Sequence, residues 1–207
     1  GTCRNGERGC CKMRKITVMQ ICFLGIATAL NVVGTNIALL LRLPIYLDSL
    51  GTVLSAVMLG PVYGMVPGIL SGVISGCTSD IYSFYYIPVQ MVVGVMAGIF
   101  YQKIRPNGRQ FWKVLLTALC VSLPGTVVSS VITAAVFGGI TSSGSSLLVQ
   151  LLHAGGLGMT ASVCVVQAIT DYLDRIVIVF CTVVLYGMLP ASLKQKVQKG
   201  NSHGTVQ

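Results

Sequence analysis

The chain has 207 residues, of which 54% are apolar and only 9% are charged, and its formal net charge is +9. A soluble domain carries about 25% charged residues. The composition therefore excludes an ordinary cytosolic enzyme, a disordered chain and a secreted disulfide scaffold. It leaves an all-α integral membrane protein, since helices satisfy their own backbone polar groups in lipid.

Charge is absent from residues 16–41, 49–79, 81–102, 114–170 and 176–193. With about 20 apolar residues per span, length alone allows roughly five to seven crossings. The basic residues narrow this. Twelve of the 14 fall in three clusters: Arg4, Arg8, Lys12, Arg14 and Lys15; Lys103, Arg105, Arg109 and Lys113; and Lys194, Lys196 and Lys199. Short loops rich in Lys and Arg stay in the cytoplasm, so an even number of crossings separates successive clusters. The clustering is thus an orientation signal and gives no evidence for nucleic-acid binding.

From Lys15 to Lys103 the even number is four. The first span is 16–41. Gly60-Pro61 divides the next stretch into a helix of about 49–60 and another of about 62–78. The fourth lies within 81–102 and starts nearer Ile87. At 1.5 Å per residue the 49–60 helix is only about 18 Å long, so its neighbours must shield it. From Lys113 to Lys194 the even number is two, 114–137 and about 168–190. The expectation is a six-transmembrane-helix bundle over residues 16–193 with both termini cytoplasmic. Residues 1–15 form a basic N-terminal segment, of which 1–12 read as an extension upstream of Met13, and 194–207 read as a disordered tail. Segment 138–167 opens with Gly138-Gly139 and the run Thr141–Ser146. It is expected outside, with a short helix lying on or dipping into the bundle; a seventh span is the alternative.

Within these spans the third has Gly64, Gly68, Gly72 and Gly76 at spacing four, and the fourth has Gly94 and Gly98. Such a face lets another helix approach closely. The first span carries a polar stripe, Thr28, Asn31 and Thr35, and a small-residue stripe, Gly25 and Ala29, about 100° apart around the helix. A polar stripe belongs against a cavity rather than lipid. Arg42, Asp48, Asp80, Tyr46, Tyr82, Tyr85, Tyr86 and Gln90 all fall at the outer ends of spans. On the last span Gln167, Asp171 and Asp174 share a face, with Arg175 four residues after Asp171. Two readings of the acids stand side by side: ion pairing with Arg175 and Arg42, or binding of a polar solute from outside. Cys22, Cys77, Cys120, Cys164 and Cys181 stand singly, without the C-x-x-C spacing of a metal or redox pair. No G-x-x-x-x-G-K-[ST] motif is present for ATP hydrolysis. No metal or other cofactor is implied.

Residues 43–74, LPIYLDSLGTVLSAVMLGPVYGMVPGILSGVI, resemble the S components of energy-coupling factor (ECF) transporters, as does ITDYLDRI at 169–176. The likeness covers roughly residues 16–193. It implies a six-helix subunit of the bacterial cell membrane that binds a vitamin or related micronutrient near its outer face. It also implies partners: a transmembrane T component and two cytoplasmic ATPases, with no catalysis in the chain itself. The family docks through a small-x-x-x-small pair on its first helix, usually two alanines, which Gly25 and Ala29 match in position and size. Pro67 inside the third span departs from the pattern. The expected substrate contacts are Asn31, Thr35, Tyr82, Tyr85, Gln90, Asp171 and Asp174. The rival reading is a membrane-embedded enzyme that modifies a lipid, with a divalent metal held by Asp171 and Asp174.

Overall fold

The computed structural model describes residues 16–41, 45–79, 81–104, 111–137, 145–156 and 158–199. Arg42, Asp80, Arg105, Arg109, the basic residues before Ile16 and the Gly138–Gly144 segment lie outside these residues.

All regular structure among the described residues is helical: α1 Val18–Leu40, α2 Leu50–Leu59, α3 Pro61–Thr78, α4 Tyr82–Tyr85, α5 Ile87–Ile104, α6 Phe111–Phe137, α7 Ser145–Ala154, α8 Met159–Met188 and α9 Ala191–Lys199. Among the described residues two stretches, Val18–Leu40 and Trp112–Thr133, are long and apolar enough to cross a membrane alone. A third is the bent pair Cys164–Met188 and Ala191–Val197, whose axes differ by 107°.

The Gly60-Pro61 break forms as the sequence predicts. Gly60 adopts φ +98°, a region open to glycine, and Pro61 starts α3 where a missing N–H costs nothing. α2 is then only 10 residues long, and every residue from Gly51 to Leu59 is buried. It packs against α1, α3, α5 and α8. The glycine face of α3 is an internal packing surface. A Cβ on Gly64 would meet Ala56 of α2, one on Gly72 would meet Ile87, and one on Gly76 would meet the Phe84 ring. From the other side, a Cβ on Gly94 would sit 3.0 Å from the Gly64 backbone and one on Gly98 2.6 Å from Pro61 Cα. α3 runs through Pro67, which is buried.

The tightest approach is between α1 and α2, where a Cβ on Gly51 would overlap the Ala27 carbonyl oxygen. Gly51→Ala must therefore push the two helices apart. Overpacking of this kind costs about 1–3 kcal/mol. Thermal unfolding of the detergent-purified protein is expected to show a clear fall in midpoint, and an unchanged midpoint would refute the close approach.

Two features differ from the sequence reading, and a third agrees with it. The last long helix begins at Met159 rather than near 168, because Ser162, Val166 and Thr170 recur at spacing four and continue its buried face. The short helix expected within 138–167 is α7, packed on α8 through Val149, Leu152 and Val166 and closed by a turn at Gly155-Gly156. Finally, residues 194–199 are not a disordered tail. Leu193 and Val197, four apart, place α9 on a cluster of Leu24, Met58 and Leu59, and Gln20 Nε2 donates to the Val197 carbonyl at 3.1 Å.

Candidate functional site

The helix directions place a cavity at the end of the bundle opposite α9. On α1, Gln20 touches α9, whereas Thr35 and Leu39 line the cavity. Gln20 and Thr35 are about 22 Å apart at 1.5 Å per residue. On α5, Gln90 lines the cavity near the helix start and Lys103 sits at the far end. The polar and aromatic part of the wall is completed by Tyr46 and Asp48 before α2, Ser71 and Ser75 on α3, Tyr82 and Ser83 on α4, Tyr86, Ser129 on α6, and Gln167, Asp171 and Arg175 on α8. The wall thus combines tyrosine rings, hydroxyls, two carboxylates, two carboxamides and one guanidinium, which is the donor and acceptor inventory for orienting a polar ring compound.

Two sets of hydrogen bonds, one on Asp171 and one running from Arg175 to Gln90, fix the polar half. The carboxylate of Asp171 accepts from Ser129 Oγ at 2.9 Å. Arg175 pairs with Asp174 at 3.3 Å and donates from Nη1 to Ser49 Oγ. Ser49 Oγ in turn donates to Asp48 Oδ1 at 2.8 Å, and Asp48 Oδ2 accepts from Gln90 Nε2 at 2.5 Å. Asp174 Oδ1 also accepts the Leu47 N–H at 3.0 Å, and Leu47 holds a φ of +50°, unusual for a branched residue. The turn before α2 is therefore clamped to α8 by Asp174 and Arg175 and to α5 by Asp48. On the aromatic side, the Tyr46 and Tyr86 rings lie 6.4 Å apart, and the Tyr86 hydroxyl is 2.5 Å from Thr133 Oγ1.

Four of the sequence-derived candidates, Thr35, Tyr82, Gln90 and Asp171, line the cavity. Three do not. Asn31 is fully buried and cross-links helices: its Oδ1 accepts the Gly51 N–H at 2.6 Å and its Nδ2 donates to Thr52 and Ser71. Asp174 is committed to Leu47 and Arg175, and Tyr85 is half-exposed outside the cavity wall. The binding-site reading of the sequence did not select Ser71, Ser75 or Ser129, because isolated serines in apolar spans carry no distinguishing spacing. Gly25 and Ala29 both lie on the exposed side of α1, and a Cβ on Gly25 would meet nothing within 4 Å.

The geometry does not favour the metal-enzyme reading. Asp171 and Asp174 are occupied by Ser129, Leu47 and Arg175, and no group of three or more His, Cys, Asp and Glu among the described residues is placed to hold a metal.

The cavity has a volume of about 60 Å³ and opens at the end of the bundle.

Comparison with known proteins finds no match among curated proteins and none among solved structures. Comparison with protein families matches residues 15–191 to the family described as ECF-type riboflavin transporter, S component. The match runs from the start of α1 to the start of α9 and takes in every residue of the cavity wall. The chain belongs to this S component family, whose members are substrate-binding subunits of membrane transporters rather than enzymes, with ATP hydrolysed in partner subunits.

Proposed function

We propose that this chain captures riboflavin, or a close flavin relative, at the outer end of its bundle for uptake by an ECF transporter. The observation that carries this reading is the cavity itself, which sets tyrosine rings against a hydrogen-bonded wall of Gln90, Asp48, Asp171 and Arg175. A flat heteroaromatic ring presents an apolar face to tyrosines and polar edges to such a wall. The bundle consists of six spans, with α2 and α3 as a broken pair and both termini inside. Lys103, Lys113, Lys194 and Lys196 then lie at the cytoplasmic end, as the distribution of positive charge requires. A transmembrane T component docks on the exposed Gly25 and Ala29 face of α1, and two cytoplasmic ATPases supply the energy.

Titrating riboflavin into the purified protein is expected to quench flavin fluorescence saturably at one ligand per chain, because tyrosine contact quenches the excited ring. Native mass spectrometry should find the same mass retained from the membrane. Unsaturable quenching, together with a co-purified compound of a different mass, would overturn riboflavin as the substrate.

A further inference from the structure

Two buried polar atoms on the cavity wall have no hydrogen-bond partner among the described residues: Gln90 Oε1 and Ser75 Oγ. Gln90 is 5% exposed and Ser75 is 2% exposed. A buried polar group left unsatisfied is costly and calls for an explanation. Ser75 lies seven residues beyond Gly68 on α3, and the missing side chain of Gly68 lets Gln90 come close, with a built Cβ only 2.9 Å from Gln90 Cβ. Both residues face the same hollow.

The orientation of the Gln90 amide is chemically determined. A carboxylate only accepts, so the nitrogen of the amide must face Asp48 Oδ2. The chain of donors behind it has one polarity. Arg175 donates to Ser49, and Ser49 donates to Asp48, which leaves Asp48 no proton to offer. The amide oxygen is thereby committed as a free acceptor.

We propose that Gln90 Oε1 and Ser75 Oγ form a subsite for a ligand edge that carries an N–H donor beside a carbonyl, as in an imide or a lactam of a heteroaromatic ring. Gln90 accepts the N–H and Ser75 donates to the adjoining carbonyl. Asp48 acts as a positioning residue that holds the amide in its accepting orientation. The assignment rests on the flavin reading above, because the pyrimidinedione ring of a flavin carries such an imide edge.

The test compares riboflavin with its N3-methyl derivative, in which the imide proton is replaced, on the full chain by fluorescence titration. The native protein should bind the methyl derivative roughly ten- to a hundredfold more weakly, the loss expected when a buried acceptor goes unpaired. Equal affinity for the two would overturn the subsite and leave the flavin reading intact. Failure to bind riboflavin at all would overturn both. Asp48→Asn separates hydrogen bonding from steric exclusion. The new amide can donate to Gln90 Oε1 and release it from its fixed orientation, so the ratio of the two affinities should shrink. A ratio unchanged in Asp48→Asn would mean that bulk alone excludes the methyl group, and the assignment would be lost.

Discussion

Replacing Gly25 and Ala29 together with leucine is expected to abolish uptake by the assembled transporter while leaving ligand binding by the isolated chain within about twofold of native, because the change alters a surface rather than the core. The physical reason is local. Both residues lie on the exposed side of α1, beside Cys22, Ile26 and Val33, which are also exposed. A side chain at Gly25 has open space around it, so the bundle itself does not resist the change. What is lost is the notch through which another helix backbone could approach, and close approach is the main source of helix association in lipid. Uptake would be measured as ligand accumulation in cells that contain the whole transporter, and binding by titration of the purified subunit. Parallel loss of both would place these residues in the folding of the subunit and remove them from docking.

Arg175→Met is expected to lower the stability of the chain by about 3–5 kcal/mol, the cost of breaking a buried ion pair from one side. Arg175 and Asp174 are almost wholly enclosed, with side-chain exposures of 6% and 3%. Methionine fills a similar volume but leaves the Asp174 carboxylate without its cation and Ser49 without its donor. The second change Asp174→Leu, made in the same chain, should recover part of the loss, since replacing both partners by apolar groups is often close to neutral. Recovery should stop short of native stability, because the Leu47 N–H also loses its acceptor. Thermal unfolding in detergent reads both effects. An Arg175→Met protein as stable as the native one would show that the clamp between the turn before α2 and α8 contributes nothing to the fold.

Much of the first half of the molecule could be read from sequence, because glycine and proline act through backbone geometry alone. Gly60-Pro61 stops one helix and starts the next, and glycines at spacing four mark a packing face whatever lies opposite. The polar stripe of α1 was equally legible. Thr28, Asn31 and Thr35 are all buried, and the small-residue stripe is exposed beside them. Which of these polar residues lines the cavity was not legible. Asn31 and Thr35 sit on the same side of one helix, but Asn31 meets the closely packed start of α2 and Thr35 lies a turn beyond it, where the helices part. That difference belongs to how helices cross and leaves no mark in the spacing. The same holds for Asp171 and Asp174, one on the cavity wall and one turned to the Leu47 backbone. The late start assigned to α8 and the missed α9 have another cause. Hydropathy weighs how apolar a segment is, whereas Ser162 and Val197 are enclosed because a neighbouring helix covers them.

The shortness of α2 also bears on how the protein is made. A helix of 10 residues extends about 15 Å, half of a bilayer core of about 30 Å. It cannot rest in lipid as an independent span, and its serines and threonines are enclosed only after α1, α3 and α5 have closed around it. Insertion helix by helix therefore cannot deliver α2 in a stable form. Its covering is complete only when α8, which also packs on it, has been made. The interval between the synthesis of α2 and that of α8 is then the stage at which part of the α2 surface stands uncovered.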